Sequence, residues 1–417
     1  MRGIVPRRAA ALIRALLADE PVVALEGPRA AGKTTLLRQV ADDVGASVID
    51  LDDLATRDAV AADPALFAAG DPPVCVDEYQ HVPELLDAVK AELNLDGSAG
   101  RFVLTGSTRY DALPLAAQAL TGRIQFVTVH PLSQGEIAGH QEGFMQALLD
   151  DPASLVSAAG SATTRDDYIA RVTAGGFPMA VNRTETARNR WFDSYVKLSL
   201  ERDVQELARI RQRDRLPRLL TRLAAQTAQV LNMARAGHEI DLPKSTTEEY
   251  TKLLEAVFLV HRLPAWGTTL GARVASHPKL HVVDSGLAAR LLGQSASKLR
   301  QADPPSLQQF GHLLETFVVG ECRKQLSWMG GISVVGHWRT HDDAEVDLVV
   351  EADDGRVIAV EVKAGSRVPG KDLASLTLLR DKLGTRFVAG VALYTGQRSY
   401  TFDDRIHVLP VDRLWTM

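Results

Sequence analysis

Three sets of residues in this 417-residue chain have the types and spacing for chemistry. The first is Gly27-Pro28-Arg29-Ala30-Ala31-Gly32-Lys33-Thr34, with Thr35 after it. G-x-x-x-x-G-K-[ST] is the spacing of a phosphate-cradling loop. Gly27 and Gly32 let backbone N–H groups turn inward around phosphate oxygens, and the helix that opens at Lys33 adds its positive dipole end. Lys33 is expected to reach the β- and γ-phosphates, and the Thr34 hydroxyl to ligate Mg²⁺, so the ligand implied is ATP with Mg²⁺. The second set is Asp77-Glu78, at the end of the apolar run Val74-Cys75-Val76. Asp77 would hold Mg²⁺ through water, and Glu78 would orient and deprotonate an attacking water. The third set is Glu315, Asp347, Glu361 and Lys363. Its acids are hard oxygen ligands for Mg²⁺ or Mn²⁺, and its lysine could help deprotonate a metal-bound water, the chemistry of phosphodiester hydrolysis.

Two further positions could assist the first site. The run Arg101-Phe102-Val103-Leu104-Thr105-Gly106-Ser107 ends in hydroxyls, and Thr105 or Ser107, with Ser107 preferred, could sense a γ-phosphate; the alternative is a hydroxyl that caps the next turn. Arg123 could stabilise transition-state charge as an arginine finger; the alternative is a surface arginine.

The elements that must position these residues alternate. Short apolar strands at 21–26, 46–51, 72–77, 101–107 and 124–129 are separated by helical stretches, which predicts a mostly parallel sheet covered on both faces. A Walker B strand is expected beside the P-loop strand. Residues 1–20 read as an amphipathic helix whose charged face includes Arg7. From about 131 to 215 the pattern is helical, broken at Gly175-Gly176-Phe177-Pro178, and reads as a lid on the ATPase core. Residues 216–262 read as a helix-turn-helix followed by a strand, as in a winged helix, with a basic cluster at Arg209, Arg211, Arg213, Arg215, Arg218 and Arg222. The third of those helices carries Lys244 and Lys252 against Glu248, Glu249 and Glu255, a poor balance for reading a DNA groove. A new unit begins near 276, with a polar linker at 295–306, a long helix bearing Glu315, and a hairpin turning at Asp353-Asp354-Gly355 that sets Asp347 against Glu361 and Lys363. The expected division is therefore 1–140, 141–215, 216–275 and 276–417.

Composition bounds the remaining readings. Hydrophobic content of 46% and charged content of 24% are ordinary for a globular chain. A net charge of -5 supplies no global basic field, so any DNA contact must be a local patch. Cys75 and Cys322 are too few for a disulfide framework or a zinc site. No apolar run approaches a membrane span and no signal-peptide core is present at the start, so the expectation is a cytoplasmic protein with no membrane partner.

Taken in order, Gly27-Pro28-Arg29 with Gly32-Lys33-Thr34-Thr35-Leu36, Val76-Asp77-Glu78, Leu104-Thr105-Gly106-Ser107, Gly122-Arg123, Gly175-Gly176-Phe177-Pro178, Val283-Asp284-Ser285-Gly286-Leu287 and Glu345-Val346-Asp347 with Glu361-Val362-Lys363 resemble a prokaryotic family of AAA-type P-loop ATPases. That family carries a winged-helix linker and a C-terminal α/β domain of the PD-(D/E)xK nuclease-like fold. The resemblance covers nearly the whole chain and implies ATP binding; its loop commonly has a bulkier residue where Ala30 stands. Two functions follow as expectations. One is an ATP-hydrolysing DNA-processing enzyme, acting as a homo-oligomer, that drives a Mg²⁺-dependent nuclease. The other is a nucleotide-controlled switch or DNA-binding motor whose nuclease fold is inert.

Overall fold

A computed structural model describes residues 4–417 apart from 113–119, 208–211, 213, 268, 270–276 and 343. Its first layer is a parallel sheet of β1 (Val22–Glu26), β2 (Val48–Asp50), β3 (Val74–Asp77), β4 (Phe102–Gly106) and β5 (Ile124–Thr128), in the order β2-β3-β4-β1-β5. Alternation along each strand serves both faces. Val23, Leu25, Cys75, Val103 and Val127 pack on Leu36, Leu37 and Val40 of the P-loop helix Lys33–Val44. Ala24, Val76 and Leu104 face Leu85, Leu86 and Val89 of the helix Leu85–Leu95. The strand ending in Asp77 is not beside the P-loop strand as expected: β4 lies between them, pairing with β1 on one side and β3 on the other. This insertion brings the C-terminal end of β4, with Thr105, between the loop and the two acids.

The middle of the chain contributes helices Arg215–Ala224, Met233–His238 and Lys244–Ala256 and an antiparallel sheet of β6 (Gln229–Val230), β7 (Val260–Leu263) and β8 (Lys279–Val282), ordered β6-β8-β7. Because β8 hydrogen-bonds to both β6 and β7, the expected boundary at 275/276 is corrected: residues 279–282 close the middle unit. Of the basic cluster, Arg209, Arg211 and Arg213 lie outside the described residues. Arg215 pairs with Asp214 and Asp241, Arg222 pairs with Glu239, and Arg218 is exposed.

The C-terminal sheet is mixed: β9 (Ile332–Arg339), β10 (Glu345–Ala352), β11 (Val357–Lys363), β12 (Phe387–Tyr394), β13 (Tyr400–Asp403) and β14 (Ile406–Pro410), ordered β13-β14-β12-β11-β10-β9. Its two faces divide by parity. Leu348, Val350, Ile358 and Val360 pack under the long helix Pro304–Trp328, while Val349, Val357 and Ala359 pack under the helix Ala374–Leu383. The expected polar linker at 295–306 instead contains the helix Ala296–Arg300, and Asp303 caps the long helix with Pro304 in its first turn.

The helical lid also departs from expectation. Phe144, Leu148, Tyr168, Val172, Phe177 and Phe192 share one continuous core with Phe317, Val391, Leu409 and Trp415. The lid helices bury their apolar faces largely against the C-terminal half rather than resting only on the parallel sheet. Gly143 N–H donates to the Met417 carbonyl at 2.9 Å, and Gln325 ties Met145 to Leu414 by accepting from one backbone and donating to the other. A second weld joins the middle and C-terminal units, where Trp266 N–H donates to His337 O at 2.6 Å and His337 N–H to Pro264 O at 2.9 Å.

Candidate functional site

The loop Gly27–Thr34 has the backbone its glycines predict. Gly27 has φ 152° and passes so close to β5 that a Cβ there would stand 2.3 Å from the Val129 carbonyl oxygen. Gly32 has φ 101° and opens the helix Lys33–Val44. Ala30 adopts φ 61°, a left-handed turn made without glycine. Beneath the loop, Arg7 is a clamp that the amphipathic reading of residues 1–20 missed. Its guanidinium donates to Ala31 O at 2.7 Å and His130 O at 2.6 Å and pairs with buried Glu136 at 3.1 Å. The helix itself is Ala9–Asp19, so Arg7 lies just outside the periodic face on which it was counted.

Lys33 is 3% exposed, and its ammonium donates to Gly27 O at 3.0 Å and Pro28 O at 3.2 Å. Burial draws it below its ordinary pKa, against the pull of Glu78 and Asp77. The sheet order sets those two acids beside it. Asp77 accepts from the Thr105 hydroxyl and is hydrogen-bonded to Thr34; burial nonetheless raises its pKa. Thr105 also accepts from Glu78 N–H at 3.1 Å. Glu78 takes a left-handed backbone, φ 55°, a strained conformation for a residue of its type. Burial would raise its carboxyl, but Lys33, then Gln80 and Ser107, more than offset this and hold it below its ordinary value. Gln80 donates to both Glu78 and Ser107. Thr105 therefore braces the Mg²⁺-directed acid and Ser107 the base-directed one, so both hydroxyl positions at the end of β4 meet the site.

The other groups at the loop are an arginine–acid pair and a pocket. Arg29 faces Asp203 at 3.6 Å, where Asp203 is 4% exposed and ends a π-helical turn, Ser199–Asp203, within the lid. Its neighbour Arg202 reaches Asp52 at 3.5 Å. A one-residue helix expansion of this kind re-aims a side chain and leaves no signature in the 3.6-residue period, so Asp203 was not legible. At the far end of the loop, beside Gly32 and Thr35, a cavity of about 450 Å³ has a mixed wall, with Ile4, Val5, Pro178 and Met179 apolar and Arg7, Asn182 and Arg183 polar. Arg123 precedes β5, at the end of the parallel sheet opposite the P-loop, and donates to Asn94 at 2.7 Å, so a finger role would be toward a neighbouring subunit.

Residues 19–138 match the AAA domain family. With the loop and the two acids in place, this region is an AAA-type P-loop ATPase domain. Residues 165–298 and 310–414 match two families described as domains of unknown function, DUF8612 and DUF4143. The chain is 29% identical over 414 residues to the uncharacterized protein Rv2008c of Mycobacterium tuberculosis and equally to Mb2031c of Mycobacterium bovis, spanning 98% of this chain and 84% of each relative. Among solved structures it resembles a Walker-type ATPase of Pyrococcus abyssi at 16% identity and a TM-score of 0.41, over 69% of this chain and 96% of that one. It also resembles the Thermotoga maritima RuvB Holliday junction branch migration motor at 18% identity and a TM-score of 0.28, over 61% of this chain and 85% of that one. These likenesses are too distant to carry substrate or partner.

The third set of residues converges, but on a lysine. Lys279 of β8, 1% exposed, places its ammonium 2.7 Å from Glu315, 2.5 Å from Glu345 and 2.8 Å from Asp347. Burial would lower its pKa; Asp347, Glu315 and Glu345 instead hold it well above the ordinary value. Asp347 also accepts from Val362 N–H at 2.9 Å, and Lys363 pairs with Glu361 at 2.8 Å. Burial, then the Asp347 charge, pushes Glu361 up to about 8. Among the described residues no group of three or more His, Cys, Asp or Glu is arranged to hold a metal ion. The expected ligand set Glu315, Asp347 and Glu361 for Mg²⁺ or Mn²⁺ is thus corrected: two of the three acids already share a buried ammonium, and the third is held by Lys363. Neither Lys279 nor Glu345 was a candidate, because strand alternation within one hairpin cannot reveal a cation arriving from another sheet.

Proposed function

We propose that this chain is an ATP-hydrolysing switch whose C-terminal nuclease-like sheet serves as a docking platform. Bound ATP and Mg²⁺ would supply the phosphoryl centre. Lys33 then directs its ammonium at the phosphates, Thr34 and Asp77 present oxygens to the cation, and Glu78 accepts the proton of the attacking water. Thr105 and Gln80 hold the two carboxylates apart in these roles. Arg29, shared between the loop and Asp203, links phosphate binding to the lid, and the lid's core is continuous with the C-terminal half.

The observation that carries the switch reading over the nuclease reading is Lys279. Its ammonium stands among Glu315, Glu345 and Asp347, so the acids do not fit a metal and no cleavage step is derived from them. The middle unit's order of helix, strand, two helices and two strands supports a winged helix. DNA remains a proposed partner through exposed Arg218, although Arg215, Arg222 and Arg262 are all paired with acids. A homo-oligomer, with Arg123 offered to a neighbour's loop, is proposed on the same footing.

The test of the ATPase assignment is Glu78→Gln. Nucleotide binding should persist while the hydrolysis rate falls by about 10²–10⁴, the usual contribution of a general base. Equal rates in variant and parent would remove Glu78 from the mechanism.

A further inference from the structure

On the face of β1 opposite the P-loop helix lies a cavity of about 270 Å³ where three parts of the chain meet. The parallel sheet contributes Glu26, Pro28, Arg109 and His130, the middle unit His261, and the long helix Arg323. Arg323 is the anomaly. Among the described residues it has no ion pair and no hydrogen bond, and the charged group that acts on it is another cation, Arg109; the two effects of burial and Arg109 push it down to about 10. Arg109 pairs with Asp111 at 3.0 Å, in an exposed pair, and also attracts Glu26 and Glu255 of the wall. Both acids have other partners as well. Glu26 accepts from Tyr110 N–H at 3.5 Å, and Glu255 pairs with Arg262 at 2.7 Å.

His261 adds a second observation. Both of its ring nitrogens are buried without a partner, and its ring stacks at 5.3 Å on His281, whose Nε2 is also unpartnered. Burial holds His130, His261 and His281 well below their ordinary pKa, so each is neutral with one N–H to donate. Arg323, on which no carboxylate acts, beside imidazole nitrogens without partners, costs free energy unless an anion completes the group.

We propose that this cavity binds a small phosphate-type anion, held by Arg323 and Arg109 with an N–H from His261. The planar guanidinium fork matches two oxygens of a tetrahedral oxyanion, and a third oxygen is left for the imidazole. The anion is either free phosphate or the terminal phosphate of a nucleotide, and it is distinct from whatever the P-loop holds.

The test separates the two sites by starting from full-length Lys33→Ala protein. Inorganic phosphate should raise its thermal midpoint and give a measurable titration in calorimetry. Adding Arg323→Met should weaken that binding at least tenfold while leaving the protein folded, since the change removes a half-buried cation that has no ion pair among the described residues. Arg109→Met, at a more exposed position, should weaken it similarly and serves if Arg323→Met does not fold. An ADP arm in the same background identifies the source: tighter ADP than phosphate assigns a nucleotide terminus, and phosphate binding alone assigns the free ion. The proposal is overturned if millimolar phosphate produces no shift in Lys33→Ala protein, or if the shift survives both arginine substitutions unchanged.

Discussion

Replacing Lys279 by methionine tests whether lysine, rather than a metal ion, fills the acid cluster. The substitution keeps length and removes the ammonium, leaving Glu315, Glu345 and Asp347 to face one another at a site where Lys279 itself is 1% exposed. Removing one partner from a buried ion cluster costs about 3–5 kcal/mol, because the remaining charges lose their compensation. At about 2–4 °C per kcal/mol for a unit of this size, the melting midpoint should fall by about 6–20 °C at pH 8. The pH dependence has a defined sign. Burial alone would raise Asp347, but in the parent Lys279 more than offsets it and holds the carboxyl below its ordinary value. Its stabilising share is therefore present above the unfolded pKa and lost as pH falls through the lower folded one. In the variant the three acids repel and prefer protons, so stability should recover as pH falls toward 5 and the gap to the parent should narrow. The variant should also acquire a Mn²⁺-dependent thermal shift that the parent lacks. Differential scanning calorimetry at pH 5 and pH 8, with and without Mn²⁺, reads all three effects. A parent with its own strong Mn²⁺ shift, and a variant destabilised by less than about 1 kcal/mol, would refute the argument that lysine fills the site.

Three other perturbations probe different parts of the chain. Arg7→Ala removes the clamp under the loop and leaves buried Glu136 without its cation, held only by the Arg8 and Ser133 N–H groups; a loss of about 3 kcal/mol and at least a tenfold weaker ATP titration are expected, and parent-like ATP affinity would show that the clamp does not position the loop. For Glu361, burial followed by Asp347 raises the folded pKa from 4.5 to about 8, so the parent should lose stability as pH rises between those values. Glu361→Gln should flatten that decline and melt higher than the parent at pH 9; a variant that melts lower there would reverse the reasoning. Mixing Arg123→Ala with Lys33→Ala subunits should restore hydrolysis above either alone if Arg123 serves a neighbour, and full activity from a protein monomeric by light scattering would exclude that role.

What was legible in the sequence is what the chain determines locally. A glycine loop between an apolar strand and an amphipathic helix is specified within about twenty residues, and Asp77-Glu78 is marked by the strand that carries it. The hairpin around Asp347 and Glu361 follows from alternation and one turn. What escaped depends on contacts distant in sequence. Sheet order cannot be read from strand order, so β4 was not seen to separate β1 from β3 and Thr105 was not seen to brace Asp77. Arg7 looked like part of a solvated helix face because its three acceptors lie 24, 123 and 129 residues away. Lys279 lies on β8, in a different sheet from the hairpin, so no local pattern showed that it would neutralise the acid cluster.

The shared core of lid and C-terminal half has a consequence for how the chain is made. Phe144, Met145 and Leu148 are completely buried, yet their packing is completed by Leu414 and Trp415, and the Gly143 N–H by Met417. During synthesis these apolar side chains leave the ribosome about 270 residues before their partners, which at about 5–20 residues per second is roughly 14–54 s of waiting. The parallel sheet has all of its strands once β5 ends at Thr128, whereas the segment just after it lacks its C-terminal partners throughout that interval. A nascent chain of this protein would therefore present an apolar stretch behind a complete parallel sheet. That makes vectorial synthesis, rather than the finished molecule, the stage at which a holding chaperone matters most.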